Sequence, residues 1–325
     1  MKRREFITLI GGAVIGALSA TAALAQTPPV IGFLNSASVS GYAPMAAAFR
    51  QGLKQTGFVP GENVQIEYRW ANDAYDKLPQ LAKELVERRV AVIFANSPSI
   101  PHAKNATSAI PIVFSSGDDP VRLGFVDSLN RPGGNLTGVA IMSNELAAKR
   151  LSILQDLVPN TRKVTVLINT DFGPSSRFKA DVESAAKNLS IELSFLNTAS
   201  DREIEDAFVS LNANRPDALL IGPGPFLDSR RILLISLAEK SKIPAGYETR
   251  ASAEAGGLTS YGANVADAYR QAGTYVGRIL KGEKPSEMPV MLATKVEFIV
   301  NNKAAKALNI PLNANLLSAA DEVIE

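Results

Sequence analysis

Apolar runs of strand length alternate with stretches of helical spacing, and the whole series occurs twice along the chain. In the first half the runs lie at 30–34, 64–68, 90–95 and 110–114. Between them come helical patterns from Tyr42 to just before Gly57, at 75–89 and at 99–108. Met45, Phe49 and Leu53 share one face of the first helix; Leu78, Leu81, Ala82, Leu85 and Val86 share one face of the second. In the second half strands are expected at 163–168, 191–196, 218–221 and 243–247, and helices at 175–188, 201–212 and 227–240. Ser200 is placed to cap the middle one of these helices. Strict strand–helix alternation predicts parallel sheets covered on both faces.

The halves echo each other residue by residue. Ile110-Pro111-Ile112-Val113-Phe114 answers Ile243-Pro244-Ala245-Gly246-Tyr247, and Asn35 and Asn169 each close a first strand. Gly133-Gly134-Asn135-Leu136-Thr137 precedes a long helix at 143–157, and Gly256-Gly257-Leu258-Thr259 precedes another at 264–280. Each of these segments follows the last strand of its half. They read as strands that cross between two lobes, each delivering its helix to the opposite one. A third pass near 289–300 returns the tail. The expected fold is α/β, with two similar doubly wound parallel-sheet lobes joined by crossing hinge strands. Lobe 1 is expected to comprise 28–142 plus 262–292, and lobe 2 143–261 plus 293–325.

The N-terminus sets the expected compartment. Lys2, Arg3 and Arg4 precede an apolar stretch at 6–18, and Ala23-Leu24-Ala25 fits the small-x-small cleavage rule. Residues 1–25 are therefore expected to be a signal peptide, and Arg3-Arg4-Glu5-Phe6 is similar to a twin-arginine export signal. Its removal takes 34 basic and 32 acidic residues to 31 of each, a formally neutral chain. Neutrality gives no reason to expect a nucleic-acid or lipid surface as partner. The chain has no cysteine, which excludes disulfides, thiolate metal sites, a cysteine nucleophile and a lipid-modified cysteine after the signal. Beyond residue 25 no stretch is apolar for long enough to span a bilayer. A freely diffusing, monomeric periplasmic protein is the expectation.

Catalytic patterns are sparse. His102 is the sole histidine, so a His-x-x-x-His metal pair is impossible, and no Gly-x-Ser-x-Gly elbow occurs. Asp118-Asp119-Pro120 reads as a turn or cap, and Arg230-Arg231 as a solvated pair within a helix. Trp70 either lines a cleft edge or packs. Neither a cofactor nor a metal is expected, and no enzymatic reaction.

What gathers at the expected strand ends suits a small molecule. Lobe 1 offers Asn35, Ser36, Ser38, Ser97, Ser99, Ser116, Gly117 and Asp118. Lobe 2 offers Asn169, Asp171, Phe172, Ser175, Gly222, Phe226, Tyr247 and Glu248, with Tyr261 on the second crossing strand. Hydroxyls and main-chain donors would hold a carboxylate. Phe172, Phe226, Tyr247 and Tyr261 would cover an apolar or aromatic body, and Asp171 or Glu248 would pair with an amino group.

Taken in order, several stretches resemble the solute-binding proteins of bacterial ABC importers, in the branch that includes tryptophan/tyrosine binders. They include IGFLNS from Ile31, YAPMAAAFRQGLKQTG from Tyr42, EYRW from Glu67, NRPGGNLTG from Asn130, GGLTSYG from Gly256, YRQAGTYVGRILKG from Tyr269 and ADEVIE from Ala320. The resemblance implies a type I periplasmic binding fold closing on a solute, and delivery of that solute to a membrane permease; the tyrosines and phenylalanines near the strand ends make an amino acid or aromatic carboxylate the expected solute. A periplasmic sensor module for a receptor, or an enzyme on the same scaffold, are the alternatives. The chain departs from the family pattern at Ala95-Asn96, where Gly-Gly is frequent, and at Gly224, where Asp is frequent.

Overall fold

The computed structural model describes residues 27–325. The expected signal peptide, with its twin-arginine-like pair, lies outside the described residues.

The first sheet contains β1 (Val30–Asn35), β2 (Gln65–Trp70), β3 (Val92–Asn96), β4 (Ile112–Ser116) and β5 (Leu136–Ala140), all parallel, in the order β2-β1-β3-β4-β5. Helices α1 (Val39–Gln55), α2 (Leu78–Glu87) and α3 (Ile100–Ala106) follow β1, β2 and β3. The alternation of side chains along a strand divides the lobe's interior in two. Ile31 and Phe33 of β1 pack with Phe49 and Phe94 on one face, while Leu34 packs with Leu78, Leu85 and Ile93 on the other.

The chain then leaves this sheet. A short 3-10 turn at Ser143–Leu146 leads into α4 (Ala147–Leu157), whose Leu151 and Leu154 pack with Val164 and Val166 of the second sheet. That sheet holds β6 (Lys163–Ile168), β7 (Glu192–Asn197), β8 (Ala218–Ile221), β9 (Ala245–Tyr247) and β10 (Thr259–Ala263), in the order β7-β6-β8-β9-β10. This is the order of the first sheet again. The helices here are α5 (Ser175–Leu189), α6 (Asp201–Ala213), α7 (Pro225–Ser229), α8 (Arg231–Ser241) and α9 (Arg250–Glu254). After β10 the chain crosses back. Helix α10 (Val265–Leu280) places Tyr269 and Val276 in the core of the first lobe. Strand β11 (Met291–Leu292) joins β5, and the chain returns to the second sheet as β12 (Val296–Asn301), α11 (Asn302–Ala307), α12 (Ala314–Ala319) and β13 (Glu322–Ile324).

Two details differ from the sequence reading. The second sheet is not wholly parallel, because β12 runs antiparallel to β10. The reason is geometric: β10 runs out toward the first lobe, and after α10 and β11 packed there β12 runs back beside it in the opposite sense. The helix expected at 227–240 is broken into α7 and α8 at Arg230 (φ −96°, ψ 12°). That break sets the directions of Asp228 and Arg230. Among the described residues no helix is long and apolar enough to cross a membrane.

Candidate functional site

In a sheet of this order, strand connections depart in opposite directions between the first and third strands, leaving a crevice at their carboxyl ends. Both sheets present that crevice to the same gap. Lobe 1 contributes Asn96 and Ser97 after β3, Ser115 at the end of β4, and Gly117. Lobe 2 contributes Phe172 after β6, Pro223-Gly224-Pro225 after β8, Asp228 of α7, and Glu248 and Thr249 after β9. The crossing segments supply Ser143, Asn144 and Tyr269, and Tyr42 enters from α1. Pro44 lies inside α1, and the first turn kinks at Tyr42 (φ −113°, ψ 15°), which aims its phenol inward. The pocket is partly open to solvent, and its inner volume is about 60 Å³.

The lobe 1 wall is a closed hydrogen-bond net. Asn96 Oδ1 accepts from the Ser36 main-chain N–H at 3.0 Å and the Ser99 hydroxyl at 2.7 Å, and its Nδ2 donates to Ser36 Oγ at 2.8 Å. Asn35 Nδ2 donates to the Tyr269 phenol at 3.1 Å, and the Gly117 N–H donates to Ser97 Oγ at 2.6 Å. Asn96, one of the two departures from the family pattern, is thus the hub of the wall. We expect Ser36→Ala to leave the Asn96 amide without its acceptor and to cost about 1–3 kcal/mol in denaturant unfolding.

The lobe 2 wall is acidic. Thr249 donates its hydroxyl to Asp228 Oδ1 at 2.6 Å, and the Tyr42 phenol lies beside the same buried carboxylate. Burial, helped by the Glu248 charge, pushes the Asp228 carboxyl above the usual carboxylate range, against the Thr249 and Tyr42 hydrogen bonds and the nearby Arg231 charge that pull it down. Behind Glu248 lies Arg150 of α4. Its guanidinium is fully buried, donates to the Ser143 carbonyl at 2.5 Å and lies 3.7 Å from Glu248 Oε2. Burial lowers its pKa and Glu248 opposes that fall. Gly224 (φ 123°) abuts the Phe172 ring, where a Cβ would come within 2.9 Å of it. Both constraints favour glycine at this position.

The two lobes touch at the rim of the gap. Asp73 follows β2 in a left-handed turn (Asn72 φ 50°, Asp73 φ 65°) and is paired with Arg230. Arg230 also donates to Asp201 at 2.8 Å and lies over the Phe226 ring at 4.6 Å. Arg231 reaches the Gly41 carbonyl at 3.5 Å, and Tyr75 packs against the cores of both lobes. The expectation of a solvated Arg230-Arg231 pair is therefore corrected. The break between α7 and α8 turns Arg230 across the gap.

Of the residues expected at the site, Ser97, Gly117, Phe172 and Glu248 line the cavity. Gly222 and Tyr247 border a smaller recess beside it, with Glu248. Others stand behind as scaffold. Asn35, Ser36 and Ser99 hold the lobe 1 wall, Ser38 caps α1, and the Ser116 hydroxyl donates to the Asp118 carbonyl at 2.7 Å. Asp118 itself pairs with Arg122 and accepts from Asn144 at 3.4 Å. Asn169 accepts from the Asp171 N–H at 2.9 Å, and Ser175 donates to the Asn169 carbonyl at 2.6 Å, so these three shape one turn. Phe226 is buried under Arg230. Tyr261 faces away from the gap, against Phe298. Trp70 packs with Phe33 and Tyr68.

Sequence reasoning missed Asp228, Thr249 and Asn144. Asp228 lies two residues past Phe226 and Thr249 one past Glu248, and it is these neighbours that line the cavity. Tyr42 and Tyr269 came from helices read only as amphipathic. No local signal marks them, because each reaches the gap through packing of α1 on α10.

Residues 36–324 match the family model described as ABC transporter substrate binding protein. A relative from Clostridioides difficile named tyrosine-binding protein is 28% identical over 265 residues, covering 81% of this chain and 75% of that one. A Streptococcus pneumoniae ABC domain solved in complex with L-Trp superposes with a TM-score of 0.83 at 23% identity, covering 92% of this chain and 100% of that one. The ligand-free, open structure of a Clostridium difficile substrate-binding protein with adhesive properties superposes with a TM-score of 0.64 at 25% identity, over 91% and 99%.

Proposed function

We propose that this chain, which belongs to the ABC transporter substrate-binding protein family, captures an aromatic amino acid between its lobes and delivers it to the permease of an importer. The observation that carries this reading is the gap itself. Buried polar atoms without partners, Ser115 Oγ and Asn144 Oδ1, and the buried Asp228 carboxylate are set beside the flat surfaces of Tyr42, Phe172, Pro225 and Tyr269. Polar atoms of this kind are costly unless a ligand satisfies them. Apolar faces around a few fixed polar groups suit a zwitterion with a ring. The relatives named for tyrosine and crystallised with L-Trp support the same class.

Capture works by population shift. A solute that touches both lobes favours the form in which they meet, and one that touches a single lobe does not. The Asp73–Arg230 pair and the better superposition on the L-Trp complex than on the open relative support the reading of this conformation as closed. The three crossing segments would then be the hinge, with lobes divided near residues 142, 262 and 292. Export through the N-terminal signal would place the protein, as a monomer, in a periplasm.

The test is a thermal-shift screen of amino acids and aromatic carboxylates. A ligand at about a hundred times its dissociation constant should add about 2.7 kcal/mol to apparent stability. X-ray scattering should show a smaller radius of gyration with that ligand than without it. A screen in which only non-aromatic solutes stabilise the protein would reject the proposed solute class, and a radius unchanged by any ligand would reject closure.

A further inference from the structure

The two lobes repeat each other closely, so a space filled in one and open in the other can be located residue by residue. Strand β9 holds in the second sheet the place that β4 holds in the first, and β10 the place of β5. The registers coincide as well. Val113 pairs with Thr137 and Phe114 with Gly138, while Gly246 pairs with Thr259 and Tyr247 with Ser260. Phe114 and Tyr247 therefore occupy the same position of the repeat. In lobe 1 the connector after β4 runs from 117 to 135 and folds back over Phe114. It lays the Phe125 ring 6.4 Å from that of Phe114 and buries Val126 in the same core. In lobe 2 the connector after β9 runs only from 248 to 258 and contains no aromatic residue. Beside Tyr247 lies a cavity of about 240 Å³, open to solvent on one side, between α8, the turn before β10 and α11.

Its walls are built from small residues: Ala238 on α8, Ala245 on β9, Gly256 and Gly257 in the turn, and Ala304 and Ala307 on α11. A Cβ at Gly257 would come within 2.8 Å of the Tyr247 ring, so the turn lies flat against the phenol. Few polar groups face the space. Asn301 uses both ends of its amide within the protein, donating to the Ala253 carbonyl at 3.1 Å and accepting from the Ala304 N–H at 2.9 Å. Glu239 and Lys303 line it only from exposed positions, one charge of each sign. The Tyr247 side chain is buried, and burial alone raises its pKa, with no neighbouring charge or hydrogen bond opposing the rise. A buried phenol gains from a hydrogen-bond partner.

We propose that this cavity is a small-molecule site of its own, separate from the gap between the lobes, and that it takes a flat, uncharged aromatic molecule of one or two rings. Lobe 1 sets the class of occupant: where that lobe seats the Phe125 ring of its own chain, lobe 2 is open to a free one. An apolar cavity of roughly 150 Å³ is enough to hold benzene, and this one is larger. Opposite charges at exposed positions favour neither an anion nor a cation, and the single phenol can accept one N–H or O–H from the ligand. A zwitterion finds no buried partner here for either of its charged ends. None of the residues lining this cavity lines the gap. Tyr247 alone also borders the recess that reaches Asp228 and Glu248, so its ring is the partition between the two spaces.

The experiment is titration calorimetry of the chain with indole, with and without saturating L-tyrosine, together with crystals soaked in 5-bromoindole, whose bromine is located by anomalous scattering. Indole should bind whether or not tyrosine is present, and the bromine should lie between α8 and α11. Ala304→Leu, which puts a side chain into the cavity, should weaken indole binding by roughly tenfold or more and leave tyrosine binding unchanged. If that variant folds poorly, the position of the bromine decides. Absence of indole binding, displacement of indole by tyrosine, or bromine in the gap alone overturns the inference, as does a dimer in solution that seats a second copy on this face. None of these results touches solute capture in the gap, which is tested by the thermal-shift screen. Failure of tyrosine to bind bears on that reading alone and leaves the bromine position to judge the cavity.

Discussion

Replacing Arg230 with alanine should weaken solute binding on the order of 30-fold, corresponding to about 2 kcal/mol. Asp73 is the reason. Its side chain is 5% exposed, its Oδ1 has no partner, and its main-chain N–H is tied to the Ser36 carbonyl at 2.7 Å, directly beside the lobe 1 wall. Burial already raises its pKa in spite of Arg230. Without the guanidinium, closing the lobes would bury an uncompensated carboxylate, whereas opening them returns it to water. Loss of a buried ion-pair partner costs more than this when both groups are sealed, but Arg230 is 24% exposed and water screens part of the effect. The penalty falls on the closed form alone, so it appears as a reduced population of the binding-competent state. Calorimetry should show the lower affinity, and X-ray scattering should show a larger unliganded radius of gyration. Asp73→Asn on top of Arg230→Ala should restore part of the affinity, because no charge is then buried. An affinity unchanged in Arg230→Ala, or no recovery in the double variant, would show that the pair does not bias closure.

The second large effect is expected at Gly273. Helix α10 lies so close on α1 that a Cβ at Gly273 would stand 2.1 Å from the Phe49 carbonyl oxygen, and one at Gly52 would stand 1.8 Å from that of Arg270. Both clashes are with backbone, so no side-chain rotation relieves them. Alanine is the better helix former by about 1 kcal/mol, which by itself would stabilise α10. Separating two packed helices costs more, roughly 3 kcal/mol. Gly273→Ala should therefore destabilise the protein by a net of about 2 kcal/mol or more, lowering the thermal midpoint by several degrees. The shift of α10 also carries Tyr269 away from Asn35, so binding should weaken even where the fold survives. A midpoint equal to or above that of the unaltered chain would show that the helices part without cost.

The two cases separate what local sequence carries from what it does not. The alternation of strands and helices, the repeat of the halves and the crossing of 264–280 are all written in hydrophobic period and in matching segments. Four of the expected site residues reach the cavity because strand ends are predictable from where an apolar run stops. Asp171 does not reach it, since a loop residue's direction depends on one or two dihedral angles that no period encodes, and Tyr261 of β10 lies on the strand face that packs against Phe298.

The sequence by itself determined two doubly wound lobes, their linkage by crossing segments and the strand ends that flank the gap, because burial of alternating apolar faces leaves few other arrangements. Only the tertiary structure decided that Arg230 spans the lobes, that β12 runs antiparallel, and that Asp228, Asn144, Tyr42 and Tyr269 meet at one cavity. Those outcomes depend on a helix break, a close approach of two helices and the angle between two lobes. Each is settled by contacts between residues far apart in the chain, so local pattern cannot announce them.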